Sequence, residues 1–91
     1  MHLRSLQNHR QQESLDLLQY LTINDINLID INGAQYNAIC NDDGGIKDDV
    51  IIYRFESKYI LIVNASNCEK IFEWILKNNR FNCSVSNKSD Q

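Results

Sequence analysis

Asp48-Asp49-Val50-Ile51-Ile52-Tyr53-Arg54-Phe55-Glu56-Ser57-Lys58-Tyr59-Ile60-Leu61-Ile62-Val63 holds two runs of β-branched and aromatic residues on either side of a tight polar turn. The spacing predicts two strands, 48–55 and 59–63, joined as a hairpin. Val50 and Ile52 share one face of the first run; Ile51, Tyr53 and Phe55 share the other. Apolar side chains on both faces predict a central strand covered on both sides. Upstream, Asn41-Asp42-Asp43-Gly44-Gly45 is a turn signal, because glycine reaches positive φ without steric cost. A further strand, Gln35 to Cys40, precedes it, with Tyr36, Ala38 and Cys40 on one face and Gln35, Asn37 and Ile39 on the other. The three strands therefore form an antiparallel meander.

Helices flank this meander. Cys68, Ile71, Phe72 and Ile75 recur at i, i+3, i+4 and i+7, which predicts an amphipathic helix capped by Asn67 and ended by Asn78-Asn79. Glu73 and Lys77 suit an i,i+4 pair on its wet face. A last strand runs from Phe81 to Val85. At the other end, Ser14 reads as the N-cap of a first helix whose stripe is Leu15, Leu18 and Leu21, with Leu17 and Tyr20 beside it. It fades at Thr22-Ile23-Asn24-Asp25, and 26–33 reads as loop. Residues 1–13 form a polar zone read as frayed or weakly helical, and 86–91 as a loose tail. The expected fold is α+β, in the order α-β-β-β-α-β, with two helices on a mainly antiparallel sheet over 14–85.

Composition narrows the function. The chain has 91 residues and a formal net charge of −3, so it offers no basic face to exchange counterions with nucleic acid. No run approaches the roughly 20 apolar residues that span a bilayer. The first ten residues lack the apolar core of a secretory signal. Cys40, Cys68 and Cys83 are an odd set without C-x-x-C spacing, which suits free thiols in a reducing compartment. No phosphate-binding glycine loop or nucleophile elbow is present.

Gly44-Gly45-Ile46-Lys47-Asp48-Asp49 is chemically unusual, since two adjacent carboxylates open a strand that otherwise reads as buried. Period-two geometry puts Asp49 with Ile51 and Tyr53, and Asp48 with Val50 and Ile52. A carboxylate at the rim of an apolar surface needs donors, and such groups concentrate in working sites. The competing reading is an ordinary hairpin end in which Lys47 pairs with either carboxylate. A metal loop is not expected, since the spacing lacks the twelfth-position glutamate of an EF-hand.

Taken as a string, Ala34-Gln35-Tyr36, Cys40 through Arg54, Ile62-Val63-Asn64-Ala65-Ser66-Asn67-Cys68-Glu69-Lys70 and Trp74 resemble the aminomethyltransferase family, the folate-dependent T protein of the glycine cleavage system. Leu17 through Asp25 also looks like that family's first helix and its "TND" end. The resemblance covers about Ser14 to Phe81, the N-terminal folate-binding region. It implies transfer of a one-carbon unit from the aminomethyl-lipoyl arm of the H protein to tetrahydrofolate, with release of ammonia. It makes the second aspartate of GG-x-x-DD, here Asp49, the catalytic acidic residue. Tyr36, Asp49, Ile51 and Asn64 would line the folate cavity, and no metal is implied. The expected compartment is bacterial cytoplasm or mitochondrial matrix.

The family's enzymes are several times longer than this chain, and the family's "SHMGE" strand has no counterpart in residues 1–13. The expectation is therefore a fragment that does not turn over alone. The alternatives are a non-catalytic folate-binding module and a small interaction domain.

Overall fold

The computed structural model describes residues 1–5, 12–42, 45–80 and 83–87. The centre of the 41–45 turn, the start of the last expected strand at Phe81 and the end of the 86–91 tail lie outside the described residues. The elements are β1 (His2–Ser5), α1 (Gln12–Leu21), β2 (Ala34–Cys40), β3 (Ile46–Arg54), β4 (Tyr59–Val63), α2 (Cys68–Lys77) and β5 (Cys83–Ser86). Short 3₁₀ turns occupy Ile26–Leu28 and Ala65–Asn67. All five strands join one antiparallel sheet in the order β2-β3-β4-β1-β5. The α+β class and the meander follow the sequence expectation.

The described start of the N-terminal zone does not; its residues 6–11 lie outside the described residues. Rather than fraying or forming helix, His2–Ser5 lies between β4 and β5, pairing with both. Leu3 is fully buried there, and Met1 and Leu61 exchange backbone hydrogen bonds of 2.8 and 2.9 Å. Four residues carry too little periodicity to announce a strand; the paired edges on both sides supply what local propensity does not.

Both helices pack on one face of the sheet. Leu17, Leu18 and Leu21 of α1 and Ile71 and Ile75 of α2 share a core with Leu3, Ile39, Val50, Ile52, Tyr59 and Leu61. Each such side chain contributes roughly 1.5–3 kcal/mol by leaving water. In α1 the buried stripe is Ser14, Leu17, Leu18 and Leu21, rotated from the expected one, and Tyr20 is exposed. Ser14 is not an N-cap: α1 starts two residues earlier, and the Ser14 hydroxyl meets the Cys83 thiol at 3.3 Å. Asn67 occupies the N-cap position of α2 but its side chain makes no cap hydrogen bond; its amide is drawn to Asp48 instead. Lys77 lies over the Trp74 ring, 5.7 Å from its centre. The three cysteines are free thiols.

The 26–33 loop is more ordered than its composition suggests. Asp25 caps the 3₁₀ turn by accepting from the Asn27 N–H. That bond and one from the Gln19 amide hold its carboxyl below the ordinary aspartate pKa. Ile26 and Ile29 anchor the loop in the core. Asn32 adopts φ 69°, a left-handed conformation asparagine tolerates.

Asn37 fastens the α1 end to the outer strand. It is buried, and its carbonyl accepts from the backbone N–H groups of Ile23, Asn24 and Ala38 at 3.3, 3.0 and 2.7 Å. Asn37→Leu removes that acceptor, and each N–H left buried without a partner costs about 1–3 kcal/mol. A lowered urea midpoint is expected; an unchanged midpoint would show that water replaces the side chain.

Candidate functional site: the open face of the sheet

The second face of the sheet is exposed. Expected to be covered on both sides, β3 is covered on only one among the described residues: Val50 and Ile52 are buried, while Ile51 and Tyr53 are 37% and 38% exposed. Tyr36 at 66% and Ile62 at 48% belong to the same surface. The register explains the grouping, because residues directly opposite one another share a face. Tyr36 lies opposite Ile51 and Ile51 opposite Ile62. One row along, Tyr53 faces Ile60, and Ile60 faces His2. In the other direction Ala38 faces Asp49. An apolar sheet surface thus ends in a carboxylate at its rim.

Alternation along the unbroken 49–53 ladder puts that carboxylate on the face of Ile51 and Tyr53, and a bulge lies just before it. Ile39 pairs with Asp48 and Cys40 with Ile46, so Lys47 is the extra residue of β3. Bulges redirect the side chains that follow them. Here Asp48, opposite the fully buried Ile39, points to the helix side, and Asp49 points to the open face. The two carboxylates cannot share a cation. Lys47 pairs with neither: its ammonium lies 4.6 Å from the Trp74 ring centre and donates to the Asn41 carbonyl at 3.4 Å.

Tyr36 and Asp49 meet diagonally across the small Ala38. The Asp49 carboxylate, acting on the Tyr36 hydroxyl, raises the phenol above its ordinary pKa of 10.0, with lesser contributions from burial and from the charge of Asp48. Asp49→Asn should return the phenol towards 10, read from the ring carbon beside the hydroxyl by NMR; a titration that stays raised would contradict the contact. The sign follows from proton binding. A raised folded pKa favours the folded state below the unfolded value near 10, and the contribution fades as pH climbs through the folded pKa.

Asn64 stands at the same rim, one residue beyond the Val50–Val63 pair. Its side-chain oxygen accepts from the Ser66 N–H at 3.1 Å and the Ser66 hydroxyl at 3.0 Å. Only its NH₂ is therefore turned to other use. The structure brings Tyr36, Asp49 and Ile51 together on one surface and sets Asn64 beside them.

Tyr53, Ile60 and Ile62 extend this surface and were not singled out from sequence. Period-two alternation carried the signal, but it becomes usable only once the register across β4 is known. A cleft of about 880 Å³ opens next to them, lined among others by His2, Tyr53, Ile62, Ala65 and Cys68. It reaches neither Tyr36 nor Asp49, so the concavity and the polar chemistry lie at different ends of the face. The polar end holds Tyr36 and the exposed Asp49 beside Ile51. Among the described residues no group of three or more His, Cys, Asp or Glu could hold a metal ion, and no helix is long and apolar enough to cross a membrane.

The chain is an α+β unit, a helix-backed antiparallel sheet with a carboxylate and a tyrosine on its open apolar face. The comparisons place it in a family. The GCVT N-terminal domain model matches residues 10–91, and the chain belongs to that family. It is 49% identical over 80 residues to an aminomethyltransferase of Listeria monocytogenes, covering 87% of this chain and 22% of that protein. It is 45% identical over 82 residues to an aminomethyltransferase of Staphylococcus carnosus. Among solved structures, glycine cleavage system aminomethyltransferase T from Bartonella henselae aligns with TM-score 0.77 at 26% identity, over 91% of this chain and 22% of that one. The chain thus spans about a fifth of the length of these relatives.

Proposed function

We propose that this chain is the tetrahydrofolate-facing N-terminal part of an aminomethyltransferase, with the open sheet face as one wall of the folate site. The observation that carries the reading is the placement of Tyr36 and the exposed Asp49 on neighbouring strands, at the edge of an exposed apolar surface. A flat pteridine would lie against Tyr36, Ile51 and Ile62. Its ring N–H groups would donate to the Asp49 carboxylate, with the Asn64 NH₂ available to an oxygen.

In the proposed reaction the lipoyl arm of the H protein brings a sulfur-bound aminomethyl group. The carbon–nitrogen and carbon–sulfur bonds break and the carbon becomes bonded to two folate nitrogens as methylene-tetrahydrofolate; their two N–H protons leave with the ammonia and the lipoyl thiol. Positive charge develops on the transferred carbon and its nitrogen, and a fixed carboxylate stabilises it with little reorganisation. The same carboxylate can take a proton from the folate nitrogen. Carrying about a fifth of the relatives' length, the chain binds folate weakly and does not release ammonia from aminomethyl-lipoyl H protein unaided. The bacterial relatives favour the cytoplasm as the compartment.

Calorimetric titration of the chain with tetrahydrofolate under reducing conditions tests the reading. Saturable binding at about 1 mM or tighter, close to −4 kcal/mol, is expected. Heats indistinguishable from dilution would reject it.

A further inference from the structure

We infer that Asp48 is a positioning residue for Asp49 and Asn64, a role that rests on the folate-facing reading above. β4 leaves the ladder after Val63, whose partner is Val50. Asp49 is therefore the first residue of β3 beyond that ladder, and the acceptor for its N–H is Asp48 Oδ1, at 2.9 Å. The second oxygen of the same carboxylate, Oδ2, accepts from the Asn67 side-chain amide at 3.2 Å.

Asn67 closes the turn that begins at Asn64, its N–H donating to the Asn64 carbonyl at 2.9 Å. One half-buried carboxylate on the helix side thus fixes two neighbours on the open side: the backbone from which Asp49 projects and the turn that presents Asn64. The site at the start of α2 also suits an anion. The adjacent aspartates divide the work: Asp49 faces the ligand, and Asp48 holds it there.

The test needs no ligand, so its result is separate from the fate of the folate reading. The readout is the Tyr36 phenol titration, followed by tyrosine ring-carbon NMR, in Asp48→Ala, Asp48→Asn and Asn67→Ala. Asp48→Ala removes both acceptors. Tyr36 is expected to fall back towards 10 although Asp49 is intact, and the Asn64 amide signal to move. Asp48→Asn keeps an oxygen for the Asp49 N–H and, after Asn67 turns over, a partner for that amide. It is expected to retain most of the raised titration.

Two outcomes overturn the inference: a native Tyr36 titration in folded Asp48→Ala, or an equal drop in Asp48→Asn and Asp48→Ala, which would mean through-space charge alone. Should Asp48→Ala fail to fold, Asn67→Ala decides. It leaves the carboxylate charged and loosens only the turn, so a shifted Asn64 signal with a partly lowered Tyr36 titration supports the role. No change at either residue rejects it.

Discussion

Asp49→Asn is expected to weaken tetrahydrofolate binding by roughly 10- to 150-fold while leaving the thermal midpoint nearly unchanged. Hydrogen bonds to a charged group contribute about 1.5–3 kcal/mol each, and about 1.4 kcal/mol is tenfold in affinity. Asp49 is solvent-exposed in the free chain, which favours the lower half of that range, because water screens the carboxylate until a ligand covers it. The same exposure explains the small effect on folding: the carboxylate supports no core contact. Calorimetry on the folded variant checks the prediction. An affinity equal to that of the parent would mean that the ligand, if bound, lies elsewhere.

Ile52→Ala is expected to cost about 2–5 kcal/mol, the range for truncating a fully buried aliphatic side chain. Ile52 is fully buried at the centre of β3, between Val50 and the helices. A domain of this length has a total stability of about 5–14 kcal/mol, so the loss is a large share of the whole. With a urea dependence of about 1–3 kcal/mol per molar, the midpoint should fall by about 0.7–5 M. The neighbouring Ile51→Ala, on the open face, should change stability by under about 1 kcal/mol. Yet Ile51 is the one expected to matter for ligand. Equal destabilisation by the two substitutions would contradict the assignment of faces.

The sequence made the meander and its faces legible because Ile, Val and Tyr alternate within runs bounded by strong turn residues. The separation of Asp48 from Asp49 followed from the same alternation. Coverage did not follow. An apolar second face reads identically whether it is buried or exposed, and Ile51, Tyr53 and Ile62 are exposed. β1 was illegible because four residues with Arg4 and Ser5 among them have no strand signature; pairing on both sides creates it. Asn37 escaped notice because its importance lies in three backbone N–H groups that only the folded chain brings within reach. Ser14 misled because a serine at a helix start resembles a cap, whereas here the helix begins earlier and the hydroxyl turns inward to Cys83.

We propose that the open face, at its Tyr36–Asp49 end, receives tetrahydrofolate, and amide nitrogen–proton NMR of the chain, titrated with tetrahydrofolate under reducing conditions, tests this. Dispersed signals are expected, with those of Tyr36, Asp49, Ile51, Ile62 and Asn64 moving together along one saturation curve while Leu17, Ile71 and Ile75 stay still. Movement confined to the helix side or the cleft beside His2, or a dispersed spectrum that ignores the ligand, would contradict it.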